Sequence, residues 1–167
     1  LGKKAGCPVL SIGAVSFGRD GLGKEFYIPI VTETQTWLHP DPDTVAWWSR
    51  QSPEARKVFT DRRRIELADA LEGFTAYCES IASIKYLRVW GNGADFDQPI
   101  LRAAYDHPGV TAKVPWQWGS RCYRTLKNQY KGVPMERKGT YHNALDDAKS
   151  QAEHAVAILN KYSLWES

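Results

Sequence analysis

Residues 7–30 constrain the fold more than any other segment of the chain. The run Cys7-Pro8-Val9-Leu10-Ser11-Ile12-Gly13-Ala14-Val15-Ser16-Phe17 is followed by Gly18-Arg19-Asp20-Gly21-Leu22-Gly23 and then by Lys24 to Ile30. Two β-prone runs joined by a glycine-rich turn predict an antiparallel hairpin. A hairpin alone is unstable in water, so its apolar face needs cover. The chain offers that cover downstream. Ile65, Ala68, Leu71, Phe74, Thr75, Cys78 and Ile81 recur at three- and four-residue spacing and predict an amphipathic helix over residues 62–83. Between hairpin and helix, His39-Pro40-Asp41-Pro42-Asp43 excludes regular structure. Asp43 then reads as the N-cap of a short helix over Thr44 to Arg50, and Ser52-Pro53 as the start of another to about Phe59. Tyr86-Leu87-Arg88-Val89-Trp90 reads as a strand, Gly91-Asn92-Gly93 as a turn, and Phe96, Ile100, Leu101 and Ala104 as a helical stripe to about Tyr105. Leu145, Ala148, Ala152, Ala155, Val156 and Leu159 mark a final long helix. A hairpin first, then helices alternating with a strand, predicts one α/β domain over 1–167: a mixed β-sheet flanked by helices.

No apolar run approaches the roughly 20 residues needed to span a bilayer. Three cysteines, Cys7, Cys78 and Cys122, at unrelated spacings indicate neither a disulfide framework nor a zinc site, and suit a reducing, cytoplasmic setting. The only methionine is Met135, so the chain is not expected to begin at a translation start. Net charge is +3, but it is unevenly spread. Between Lys113 and Lys138 seven basic residues face one acid, Glu136, and the remainder is slightly acidic. A basic segment beside an acidic remainder suits a protein that grips phosphates with one region and gathers carboxylates in another. Within it, Arg121, Arg124 and Lys127 fall on one side of a possible helix. Arg62-Arg63-Arg64 reads as ordinary charge at a helix start.

Two segments carry chemistry. In Tyr141-His142-Asn143-Ala144-Leu145-Asp146-Asp147-Ala148, His142 stands on a pre-helical turn and Asp147 within the first two turns, so both reach one cleft at the positive end of the helix. The plainer reading makes Asn143 or Asp146 a cap and His142 a surface residue. In Trp90-Gly91-Asn92-Gly93-Ala94-Asp95-Phe96-Asp97-Gln98, at the carboxyl end of a strand where open α/β sheets place ligands, Asp95 with Gln98 looks like a capping pair, leaving Asp97 as the freer carboxylate. Trp47 and Trp48 share a short helix with Gln51 and could stack on unpaired bases, although at least one of two adjacent tryptophans is expected in the core.

Together the two segments resemble the second and third motifs of the DEDDh 3′ to 5′ exonucleases, the superfamily of proofreading exonucleases, RNase T and oligoribonuclease. The chain is most similar to the small bacterial and phage exoribonuclease-like branch, where the hairpin at Cys7 to Val15 and the helix at Asp43 to Gln51 also look familiar. The resemblance implies a ribonuclease H-like fold, two Mg²⁺ or Mn²⁺ ions and release of nucleoside 5′-monophosphates from the 3′ end of single-stranded RNA or DNA. It implies Asp97 and Asp147 as metal ligands and His142 as the base that takes a proton from the attacking water. Leu1 matches the position that wedges against the terminal base, and Asn92, Trp48, Gln51 and Arg124 complete the expected substrate-binding set. The family often forms homodimers. Its first motif, Asp-x-Glu-Thr on the first strand, is expected immediately before Leu1, so 1–167 carries two of four metal carboxylates and is expected to be inactive by itself. A non-catalytic nucleic-acid-binding module and a hydrolase of free nucleotides are the competing readings.

Overall fold

A computed structural model describes residues 1–107 and 109–165. The hairpin forms as expected from β1 (Ser11–Gly18) and β2 (Gly21–Pro29), antiparallel, with Gly18 paired to Gly21 across a two-residue turn and a bulge between Val15 and Phe17. Gly21 takes φ 120°, a backbone that a β-carbon would strain. Two short helices follow, α1 (Pro42–Ser49) and α2 (Pro53–Arg56), the second continued by a 3₁₀ turn over Lys57–Phe59. Then come α3 (Leu67–Glu79), β3 (Val89–Gly91), α4 (Asp97–Tyr105), β4 (Ser120–Cys122), α5 (Tyr123–Gln129) and α6 (Ala144–Lys161).

The strands do not join into the single mixed sheet that the sequence suggests. Among the described residues there are two separate two-stranded ladders, β1 with β2 antiparallel and β3 with β4 parallel. Phe17 of β1 and Trp90 of β3 meet through their rings, 6.0 Å apart, rather than through a backbone ladder. Gln98 ties the parallel pair together from the side: its buried amide donates to the carbonyls of both Val89 and Arg121, at 3.1 Å each.

Several boundaries differ from expectation for identifiable reasons. Residue 65 is held extended by a parallel bridge to Ile30, with Val31 donating to the Ile65 carbonyl and Ile65 to that of Pro29, so α3 cannot start at residue 62 and starts at Leu67. The arginines ahead of it are therefore not charges at a helix start. Arg63 pairs with Asp61 at 2.7 Å and Arg64 with Glu33 at 2.9 Å. The cap of α1 is Asp41, which accepts from the Thr44 amide, and not Asp43, because the fixed φ of Pro42 already sets the first helical residue. Ser52 caps α2 as expected. No side chain caps α4, so Asp95 and Gln98 form no capping pair: the N-cap residue is Phe96, and Gln98 is spent on the strands.

The larger core joins Ile12 and Ile30 to Leu67, Ala70, Leu71 and Phe74 of α3, with Tyr105 and Trp116 closing the far side. A smaller core sets Tyr123 and Leu126 of α5 against Ala155, Ile158 and Leu159 of α6. Gln35, in a loop, is buried between segments: it accepts from the Val9 amide and donates to the carbonyls of Val9 and Val31, each at 2.8 Å. Gly13 lets the head of α6 lie directly on β1. A β-carbon there would stand 2.3 Å from the Ala144 and Leu145 backbone.

Candidate active site

The head of α6 is fixed by Asn143, whose side chain accepts from the amides of Leu145 and Asp146. With Asn143 as the cap, the residue before it turns away from the helix, and His142 adopts φ 66°. Its ring stands edge-on to Trp47, 4.6 Å between centres, and 6.3 Å from Trp48. A left-handed backbone at a non-glycine residue is uncommon and points to function when the side chain it presents is reactive.

Asp147 lies one turn into α6. Its Oδ1 is 2.8 Å from the Arg137 guanidinium, which also covers the Tyr141 ring at 4.6 Å. Burial pushes the Asp147 carboxyl above the usual range, opposed by the charges of Arg137 and His142. Asp146 has a different job: its Oδ2 accepts from the Thr140 amide and anchors the preceding loop.

The Asp97 group forms at the end of β3. Asp97 Oδ2 accepts from the Asn92 amide at 2.6 Å. Asp97 is therefore not the free carboxylate that the sequence suggests, although it remains the one aimed into the turn. Burial raises its carboxyl, against the Asn92 bond and the charge of Arg124. Gly91 gives room for this turn, since a β-carbon there would lie 2.9 Å from Asp97 Oδ2. The Asn92 side-chain oxygen is buried with no hydrogen-bond partner. An orphaned buried acceptor beside a buried carboxylate fits a ligand that donates or carries positive charge.

Leu1 and Trp48 line one open cavity of about 390 Å³ together with Val45, Arg56 and Phe59. Neither tryptophan is in the core, contrary to expectation. The helix that carries them buries no residue fully, and Trp48 instead meets Phe59 at 5.4 Å. Gln51 is turned back on its own helix, donating to the Trp47 carbonyl at 3.0 Å. Arg121, Arg124 and Lys127 do not share a helical face, because Arg121 belongs to β4 and only the other two to α5. The charge of Arg124 acts on the Asp97 carboxyl. Arg137 was visible in the basic run, but nothing in its spacing marked it as the partner of Asp147.

These placements sit within a chain that matches a known family over nearly its whole length. A family model described as the 3′-5′ exoribonuclease Rv2179c-like domain covers residues 1–159. The chain belongs to that family. As an Rv2179c-like exoribonuclease domain it takes a nucleic acid as substrate. No curated protein matches the chain. Among the described residues, no helix of the Rv2179c-like domain is long and apolar enough to cross a membrane.

The oxygen donors Asp97 and Asp147 are of the kind that Mg²⁺ or Mn²⁺ prefers. Among the described residues, however, no group of three or more His, Cys, Asp or Glu is arranged to hold a metal ion. The two carboxylates are donors of the chemical type that a hard cation takes, and two of them are too few to complete its coordination shell.

Proposed function

We propose that this Rv2179c-like domain works as a DEDDh exonuclease on a ribonuclease H-like fold, removing nucleoside 5′-monophosphates from the 3′ end of single-stranded RNA or DNA. The observation that carries the reading is His142, held in left-handed backbone against Trp47 at the head of the helix that bears Asp147. A 3′-terminal base enters the cavity between Leu1 and Trp48, whose apolar walls stack on it. His142 takes a proton from water as the water oxygen attacks phosphorus, the bond from phosphorus to the 3′ oxygen breaks, and the leaving oxygen gains a proton from solvent. Arg124, beside the Asp97 turn, and Arg137, beside Asp147, bind phosphate oxygens. Asp97 and Asp147 would hold Mg²⁺ or Mn²⁺, which when bound would supply positive charge against the charge growing on the phosphoryl group. Their two negative charges fall short of balancing two divalent ions, so the reading needs further acidic donors.

The test uses the protein produced from its own start codon, a 5′-labelled 12-nucleotide RNA and Mg²⁺ or Mn²⁺. Single-nucleotide shortening from the 3′ end, absent in Asp97→Ala and Asp147→Ala with the fold retained by circular dichroism, is the expected result. An undiminished ladder in both variants overturns the mechanism. RNA binding without any ladder replaces it with a non-catalytic binding module.

A further inference from the structure

The residues that lead into β3 and β4 lie side by side, because the two strands are parallel and Val89 is in register with Ser120. They frame a second, smaller depression of about 190 Å³, lined among others by Ile84, Lys85, Arg88, Trp118 and Arg121. Three of these are cations, and none of the described residues that line it is acidic. Aromatic surface stands beside the charge. Trp118 is 92% exposed and Tyr86 67% exposed, with the Lys85 ammonium 5.4 Å from the Tyr86 ring centre.

The exposure of Trp118 is built into the fold. Two residues earlier Trp116 is fully buried, and on the other side Gly119 is clamped: its carbonyl accepts from the Val89 amide at 2.9 Å, and a β-carbon there would meet the Leu87 carbonyl oxygen at 2.0 Å. The backbone on both sides of the indole is thereby anchored while the ring projects into water. A large aromatic side chain held out in this way exposes apolar surface at a cost in free energy, and cations alternating with such rings are the recurring means of holding a flexible polyanion: the charges release counterions, and the rings stack on bases without regard to sequence.

The Asp97 turn leaves the opposite, carboxyl end of β3. Three residues at about 3.3 Å each put the depression about 10 Å from that end. We propose that this face is a second binding site for single-stranded RNA, holding the nucleotides upstream of the 3′ end while the terminal one occupies the candidate active site. The inference rests on the exonuclease reading for the direction of the strand, and on the face itself for the binding.

The experiment compares a 12-nucleotide RNA with a dinucleotide, on the full-length protein and its Trp118→Ala and Lys85→Glu variants, both altered at exposed side chains and checked for fold by circular dichroism. Affinity for the 12-mer is read by fluorescence anisotropy in EDTA at 50 to 200 mM salt, and dinucleotide turnover with Mg²⁺. The expected result is a loss of roughly fivefold or more in 12-mer affinity for each variant, with dinucleotide turnover unchanged and a shallower salt dependence for Lys85→Glu. Unchanged 12-mer affinity in both variants overturns the proposal. So does an equal loss on the dinucleotide, which would place these residues in the active site, and so does a change confined to self-association in sedimentation, which would make the face a protein interface. If neither substrate is hydrolysed but both variants lose 12-mer affinity, the binding face stands and the exonuclease reading falls.

Discussion

Arg137 and Asp147 are joined 2.8 Å apart at the head of α6, and both are only partly exposed. The guanidinium compensates a carboxylate that burial disfavours, so a cation approaching Asp147 meets a resident positive charge. The pair is thus in place before any ligand arrives.

Its strength is measurable by a double-mutant cycle in EDTA. Arg137→Met should lower stability to urea by about 0.2 to 1 kcal/mol, and that loss should shrink in an Asp147→Asn background, where only the contact with the Tyr141 ring is still removed. Equal effects of Arg137→Met in both backgrounds would mean that the two charges do not interact in solution.

His142→Asn separates chemistry from backbone. Asparagine tolerates the left-handed region, so φ 66° is retained, and the cost in stability is limited to the lost ring contact with Trp47, about 1 kcal/mol. Turnover should fall roughly 10² to 10⁴-fold. A variant that turns over RNA like the unaltered protein would remove His142 from the mechanism.

Gln35→Leu should be among the most damaging single substitutions outside the site. It deletes three hydrogen bonds and leaves the Val9 amide and carbonyl buried and unpaired, a loss of about 2 to 5 kcal/mol. A urea midpoint that hardly moves would show that water reaches Val9.

Stability should decline in alkali. Burial pushes the Cys78 thiol from 9.0 up to about 12, and the Tyr105 and Tyr123 hydroxyls from 10.0 up to about 12. In the unfolded chain these groups lose their protons first, so between pH 9 and 12 the folded state binds more protons and stability falls with rising pH. The contribution is complete below pH 9. Urea midpoints measured from pH 8 to 11 should drop, and more gently in Cys78→Ala between pH 9 and 10; parallel curves would assign the alkaline loss to other groups.

What could be read in advance follows the range of the interactions. The turn of the hairpin, the Ser52 cap, and the placing of His142 and Asp147 about the Asn143 cap all depend on neighbours within a few residues. The limits of α3 did not, because Ile65 answers to Ile30 across the fold. β4 has three residues and pairs with a strand about thirty positions away, too short to leave a periodic pattern. Asp95 looked like a cap since Gln98 stands at the right spacing, yet Gln98 is engaged by two strands at once. Arg137, Gln35 and the exposed indole of Trp118 acquire their roles only from partners or anchors brought from elsewhere in the chain.

The seat of α6 on Gly13 has a consequence for biosynthesis. The hairpin leaves the ribosome before the helix that covers it, which follows about 130 residues later. At translation rates of roughly 5 to 20 residues per second, the uncovered face of β1 waits on the order of ten seconds for its partner. During that interval a paired but half-clothed hairpin is a substrate for chaperones and a hazard for aggregation. Slowing elongation between α3 and α6 should therefore reduce the yield of folded protein more than the same delay placed after Lys161.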